Sequence, residues 1–381
     1  MNSRLKVLII FLIFLLSAIR YPLSAILAET SRDIRVLILQ DAESFSLKTE
    51  ASYKIKDSSG RKTLSSGMSL NSTITGYKDG ILIGGRGFEA DRIIFSAGDS
   101  GETIINGRRF RGDVEFIKDK REKLSLINHI NLEDYIRGIL YHEVSHYWPM
   151  EVLKAQAIVC RSYAVYQITQ NHAKDFDVTS DIYSQVYGGR TSERYRTNMA
   201  VDKTLGLILT YNDTPLPAFF HAACGGHTED ALSVWNIDLA PLKGAACDFC
   251  KKSPHYRWHC ELPVKDIKWK LNKAGYKIKD IFEIIIAGRD KSGRITDLEI
   301  AGYEEKIPVS KFRIILGPNL IKSANFTVRT EGPDAVFEGL GWGHGVGMCQ
   351  WGAYFLAKDG KNYKEILNYY YPGAKIETVG F

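Results

Sequence analysis

Residues 141–149 read YHEVSHYWP, and within them His142, Glu143 and His146 match the H-E-x-x-H string of zinc peptidases. In that chemistry two histidines one helical turn apart hold the metal, while the glutamate handles a proton of the metal-bound water. Such a site also needs a continuous helix under both histidines and a third protein ligand downstream. Here Pro149 interrupts shortly after His146, Tyr147 and Trp148 stand where the extended string would carry on, and no third ligand can be named. The zinc peptidase is therefore the third reading of this segment. The plainer one leaves His142 and His146 partly exposed at a helix end, where the dipole tolerates a cation.

Two further groups hold reactive residue types. Cys224, Cys247, Cys250 and Cys260 fall close together, with a C-x-x-C pair at 247–250 and His227, His255 and His259 beside them. That set reads as a structural zinc site or, in an exported chain, as disulfides, with packed thiols as the remaining alternative. The second group is the loop GLGWGHGVGMCQWG at 339–352, in which Gly341, Gly343, Gly345 and Gly347 alternate with other residues. Neither a P-loop nor a dinucleotide fingerprint is present, so nucleotide binding is not expected. Glycines at that density let backbone approach a ligand or another strand closely. Trp342, His344, Gln350 and Trp351 offer stacking faces and hydrogen-bonding groups suited to sugars.

The elements that must position these residues follow from local pattern. From Asp33 to about Phe116, short alternating or apolar runs separated by turn formers predict a β region. Asn131-Leu132-Glu133-Asp134 is a helix start with acidic residues in its first turn, and the helix runs toward Glu143. Pro149 suits the first position of a second helix, in which Met150, Leu153, Ala157, Cys160, Ala164 and Ile168 form one apolar stripe. Glu143 thus stands at the joint of two helices, and Cys160 reads as a packed core thiol. Farther on, DKSGR at 290–294 predicts a hairpin turn and NYKEILNYYYPG at 362–373 a helix. The whole is α+β.

Composition sets the outer bounds. The chain has 381 residues, 45% hydrophobic and 25% charged, with no internal repeat, which describes a folded globular protein and excludes disorder. The balance of 50 basic against 44 acidic residues, a net +6, is too slight to imply a nucleic-acid partner. Arg4 and Lys6 precede an apolar run from Val7 to Leu16, and small residues follow as far as Ala28. Arg20 and Pro22 cut this segment short of the ~20 residues a span requires. It reads as an export signal, cleaved near Ala28 or kept as a short anchor, and it is the only membrane attachment expected.

Read without its two histidines, the stretch NLEDYIRGILYHEVSHYWPMEVLKAQAIVCRSYAVYQ at 131–167 resembles the signature of the SpoIID/LytB family. In that signature a helix ending in Glu is followed by a break and then by E-x-L-K-A-Q-A-x-x-x-R-[ST]-Y-A. SQVYGGR at 184–190, FFHAACGGHTEDALSVW at 219–235 and the segment 341–376 agree in the same order, and INGRRFRGDVEF at 105–116 looks like the family's lead-in strand pair. The likeness spans about residues 100–380. It implies a SpoIID-like domain at 101–381, built as a mixed β-rich domain around a catalytic helix pair, which follows the signal or short anchor read at 1–28 and the β-rich region at 29–100.

Family members of assigned activity are lytic transglycosylases, which cut peptidoglycan glycan strands between N-acetylmuramic acid and N-acetylglucosamine and leave a 1,6-anhydro end. Others are described as enhancers of wall amidases. The resemblance implies that Glu143 holds the place of the catalytic acid, and Tyr141, Tyr147 and Trp148, near it in sequence, could supply the apolar surroundings that raise its pKa. It implies that His344 and Gln350, with Trp342, Gln185, Tyr187 and His221, bind substrate, and that Lys154, Gln156 and Arg161 brace the helix pair. Some members carry zinc beside the acid on one His and two Cys. The matching positions here are His172, Val178 and Ser184, so that metal is not expected and catalysis requires no cofactor. The partners implied are peptidoglycan glycan strands and, in the competing reading of a non-catalytic glycan-binding module, a cell-wall amidase. Both place the protein in the periplasm or cell envelope.

Overall fold

The computed structural model describes residues 33–98, 101–181 and 184–378, and the expected export segment, 1–28, lies outside them. The alternation read from Asp33 onward becomes pleated sheet with one face inward. In Ser44–Thr49, for example, Phe45, Leu47 and Thr49 are buried while Ser44 and Ser46 face out. The strands are β1 (Asp33–Ala42), β2 (Ser44–Thr49), β3 (Tyr53–Asp57), β4 (Thr63–Gly67), β5 (Leu70–Tyr77), β6 (Gly80–Ile83), β7 (Arg86–Phe88), β8 (Arg92–Ala97), β9 (Thr103–Ile105), β10 (Arg108–Phe110), β11 (Asp113–Lys118) and β12 (Leu124–Asn131). One sheet is ordered β13-β1-β12-β11-β8-β3-β4, where β13 (Val178–Thr179) returns after the helices to lie parallel to β1. The other is ordered β10-β9-β2-β5-β6-β7. Phe45, Phe95 and Phe116 meet in the apolar core that the two sheets share.

The division expected at residue 100 falls inside both sheets. β8 pairs with β11, and β2 pairs with β9, so the N-terminal β unit continues to Asn131. Hydrogen-bonded ladders cross that position, and a linker there would have left strand edges open.

Asn131 closes β12 and caps helix α1 (Leu132–Glu143), its side chain accepting from the Glu133 amide at 3.0 Å. After the break at 144–149, α2 (Met150–Asn171) runs through the middle of the molecule. The single apolar stripe expected for α2 is one of two. Leu153, Ala157, Cys160 and Ala164 face the β unit, while Val152, Ala155, Ile158 and Val159 face a second core, so the helix is sandwiched rather than amphipathic.

Helix α3 (Tyr195–Asp202) packs Ala200 and Val201 into the first core, while the second core gathers residues from or beside β14 (Leu207–Tyr211), β15 (Thr214–Pro215), β16 (Phe220–His221), α4 (Ala231–Trp235) and the C-terminal segments. Residues 257–340 form a third core of their own. It contains β17 (Arg257–Pro263), α5 (Val264–Lys273), β18 (Ile284–Ile286), β19 (Asp297–Ile300), β20 (Ile307–Pro308), α6 (Val309–Leu316), β21 (Phe326–Glu331) and β22 (Asp334–Leu340) around Trp258, Phe312, Phe326 and Phe337. The DKSGR turn forms within it, with the Asp290 amide donating to the Arg294 carbonyl at 2.8 Å. The chain then returns through the glycine loop to β23 (Met348–Cys349), α7 (Gln350–Lys358), α8 (Tyr363–Tyr370) and β24 (Lys375–Thr378). Strand β23 lies parallel to β16, pairing Phe220 with Met348 and His221 with Cys349. The predicted C-terminal helix is α8, and Asn362 and Glu365 close a capping box at its start.

Candidate active site: a cleft with one carboxyl

A cleft of about 800 Å3 opens where α1 ends, between α2 and the paired segments 219–222 and 342–350. Glu143, the last residue of α1, reaches into it. The residue is half-buried and open to the cleft, yet protein atoms crowd its carboxyl. Burial pushes that group up to about 7, opposed only by a hydrogen bond from the Val186 backbone. Gln350 fixes the end of the helix from the opposite wall: its amide nitrogen donates to the Glu143 carbonyl at 3.1 Å and to Gln156 Oε1 at 3.3 Å.

His221 and His344 sit side by side in the far wall, ring centroids 5.7 Å apart. Burial, aided by nearby arginines, drives the His344 imidazole down to about 3, and burial also lowers His221, so both are neutral. Their tautomers follow from their partners. His344 Nδ1 accepts from the Val346 amide at 3.0 Å, so its proton is on Nε2; His221 Nδ1 donates to the Val346 carbonyl at 3.1 Å. His221 Nε2 is therefore a bare acceptor, buried without a hydrogen-bond partner among the described residues. Other atoms of the residue line the cleft.

The glycine loop contributes through backbone contact. Gly347, at φ +71°, lies against 219–222 so closely that a Cβ there would stand 2.0 Å from the Phe219 carbonyl oxygen. The close approach is thus to another strand. Trp342, His344 and Gln350 line the cleft as a result, together with His221.

Two of the expected binding residues lie elsewhere. Gln185 is buried in the core, accepting from the Tyr135 hydroxyl at 3.1 Å and donating to the Cys160 carbonyl at 3.4 Å. Tyr187 is wedged between Phe110 and Tyr135, with its hydroxyl donating to Asn128 at 2.9 Å. The extended stretch through 184–187 turns alternate side chains inward, which leaves Ser184 and Val186 on the cleft. The aromatics nearest Glu143 in sequence are also not its surroundings. Tyr147 is exposed, Tyr141 packs against His146 and Arg194, and Trp148 packs on Trp351 and Tyr354. The cleft takes its aromatic walls from Tyr163, Tyr166, Phe219, Phe220 and Trp235, with Phe219 and Trp235 in contact at 4.3 Å. Tyr163, Tyr166, Gln167 and Gln170 share helical spacing on α2, a polar-aromatic face that is readable in the sequence once α2 is known to be sandwiched.

The zinc-peptidase geometry is absent. Helix α1 stops at Glu143 and Val144 is extended, so no continuous helix carries both histidines. His142 Nε2 bonds Ser192 Oγ at 2.5 Å, and His146 packs on the rings of Tyr141 and Tyr147. His172 is exposed at the end of α2, Val178 is buried in β13 and Ser184 faces the cleft. Among the cysteines, Cys260 lies apart: it sits on β17 opposite Phe337 and packs against the third core. Cys349, distant in sequence, takes its place beside Cys224, Cys247 and Cys250.

The helix pair is clamped by Arg161, which makes a buried bidentate ion pair with Glu133 at 2.8 and 2.7 Å and also reaches the Leu207 carbonyl at 2.9 Å. Lys154 pairs with Glu151 at 2.6 Å, away from the cleft lining. Glu229 is a second buried carboxyl raised to about 7, by burial and then by neighbouring Asp290. It is tied to Ser292 and Arg294, and it does not line the cleft.

Comparison with known proteins places this arrangement. A family model described as stage II sporulation protein matches residues 120–211, the stretch that holds α1, α2 and Glu143. The stage II sporulation protein D of Bacillus subtilis is 31% identical over 273 residues, covering 66% of this chain and 76% of the relative. The chain belongs to the SpoIID family. An uncharacterised protein of Brachyspira hyodysenteriae is 36% identical over 298 residues, 78% of this chain and 79% of its own length. The amidase enhancer of Bacillus subtilis is 27% identical over 293 residues, 64% of this chain and 40% of the relative. A second model, a domain of unknown function, matches residues 244–347, which contain the third core of this SpoIID-family chain.

Proposed function

We propose that the protein is a lytic transglycosylase of peptidoglycan glycan strands in the cell envelope, with Glu143 acting first as acid and then as base. What carries this reading is a single carboxyl: Glu143 is the only acidic side chain among the described residues lining the cleft, and burial keeps it protonated up to about pH 7. Glycosidases that use water place two carboxyls about the scissile bond, one to protonate the leaving oxygen and one to activate water or attack the sugar. A lone carboxyl suits a substrate that supplies its own nucleophile. The Glu143 proton passes to the bridging oxygen as the C1–O bond breaks, the C6 hydroxyl oxygen bonds to C1, and its proton returns to Glu143. No water is consumed and the acid is restored. The intramolecular hydroxyl has a high effective concentration, which replaces the missing base. Trp235, Phe219 and Trp342 supply faces for the sugar rings.

The likeness to an amidase enhancer supports a second reading, in which the cleft grips glycan without cutting it. Incubating the protein with purified glycan strands separates the two. Cleavage predicts 1,6-anhydro ends by mass spectrometry, reduced about 10²- to 10⁴-fold in Glu143→Gln with glycan binding retained. Binding without anhydro ends would leave the second reading standing, and undiminished cleavage by Glu143→Gln would end the role of that residue.

A further inference from the structure

We propose that Cys224, Cys247, Cys250 and Cys349 hold one tetrahedral zinc ion that staples the back of the cleft. The four sulfurs come from three separate segments and converge so that all lie within 4.8 Å of one another. A tetrahedron of thiolates at ~2.3 Å from zinc has edges of about 3.8 Å, which this spacing accommodates. All four residues are fully buried in the second core, and none of the described cysteines is in a disulfide. Cys224 and Cys250 approach to 3.3 Å, beyond the ~2.05 Å of a disulfide.

The surrounding backbone is that of a ligand site. Cys224 enters the turn Gly225-Gly226, where Gly225 at φ +74° presses on Leu340 with no room for a Cβ, and the Cys247 amide donates back to the Gly226 carbonyl at 2.8 Å. Cys247 and Cys250 bracket a single tight turn, so both sulfurs face the same point. Cys349 caps α7, and its sulfur accepts from the Gly352 and Cys224 amides, each at 3.3 Å. The Tyr370 hydroxyl lies 3.2 Å from Cys247 Sγ. Donors aimed at sulfur stabilise thiolate, the form a metal requires, and Arg294 adds a positive charge on the Cys224 carbonyl at 2.7 Å. Packed neutral thiols need neither the convergence nor these donors.

Four protein ligands leave no open position, so the metal is structural. Its place is mechanically useful. Cys349 immediately precedes Gln350, which holds Glu143, and it pairs across the β16–β23 ladder with His221. The zinc would lock two cleft-lining segments to the loop at 247–250. This assignment stands whether or not the cleft cuts glycan.

The test is metal analysis of the full chain, purified under reducing conditions from zinc-supplied cells. One zinc per chain is expected, released by an organomercurial reagent, and cobalt substitution should give the thiolate charge-transfer and d–d bands of a tetrahedral site. Cys260→Ser should keep the metal, and Cys349→Ser should lose at least half of it. Wild-type protein without stoichiometric metal overturns the proposal, whether all six cysteines then titrate as free thiols after denaturation or its mass falls by the hydrogens of two disulfides. Because these readings need only the wild-type chain, a variant that fails to fold does not decide the outcome.

Discussion

Glu143→Gln tests the environment of the carboxyl without reference to any substrate. In the folded chain this group titrates at about 7, against its ordinary 4.5. Between those values the folded state keeps a proton that the unfolded state has released, so stability falls as pH rises through the window and levels off above about 7. At about 1.4 kcal/mol for each tenfold change in proton affinity, the gap corresponds to roughly 3 kcal/mol. The side chain opens to the cleft, and solvent there reduces the effect to about 2 kcal/mol. Glutamine has the same shape and no charge to bury. Below about pH 4.5 the variant should match the wild type. Above about pH 7 it should be more stable by about 2 kcal/mol, a rise of a few degrees in melting temperature. Chemical denaturation at a series of pH values between about 4 and 9 reads this directly. A stability difference that stays constant across that range, or a variant that is weaker at high pH, would refute the buried, proton-holding Glu143.

The remaining predictions concern the frame and the chemistry. Arg161→Met strands Glu133 in the core and should cost about 3–5 kcal/mol in urea denaturation, part of which Glu133→Met in the same chain restores. Gly347→Ala puts a methyl group onto the Phe219 carbonyl in left-handed backbone and should cost more than about 2 kcal/mol, visible as an early thermal transition. The rate of anhydro-end formation should fall about tenfold per pH unit above about 7. His221 and His344, held neutral by burial, should add no limb between about pH 5 and 8. Trp235→Ala should weaken glycan binding about threefold to tenfold in a pull-down or calorimetric titration, with the fold intact.

Much of this was legible in one dimension because the information is local. The start of α1 at a capping asparagine, its end near Glu143, the proline that precedes α2 as its N-cap, one place earlier than expected, the DKSGR turn and the capped C-terminal helix each depend on residues within a few positions of one another. Glu143, His344, Gln350, Trp342 and His221 were found by motif and do line one cleft. Gln185 and Tyr187 belong to the same motif, yet alternation in an extended segment sends them into the core, and only the packing of Tyr135 and Phe110 against them reveals which parity is inward.

What the sequence determined by itself was the set of local hydrogen-bonding choices, the apolar stripes and the family signature. Only the tertiary structure decided that α2 is buried on two faces, that β9, β11 and β12 complete the N-terminal sheets, and that Cys349 rather than Cys260 joins the other three cysteines. The reason is common to all three. Each depends on contacts between residues far apart in the chain, and whether a side chain is buried, charged or paired is set by what arrives from the other segment. The same holds for Glu143: its place at a helix end is local, but the walls that hold its proton come from α2, the 219–222 segment and the glycine loop.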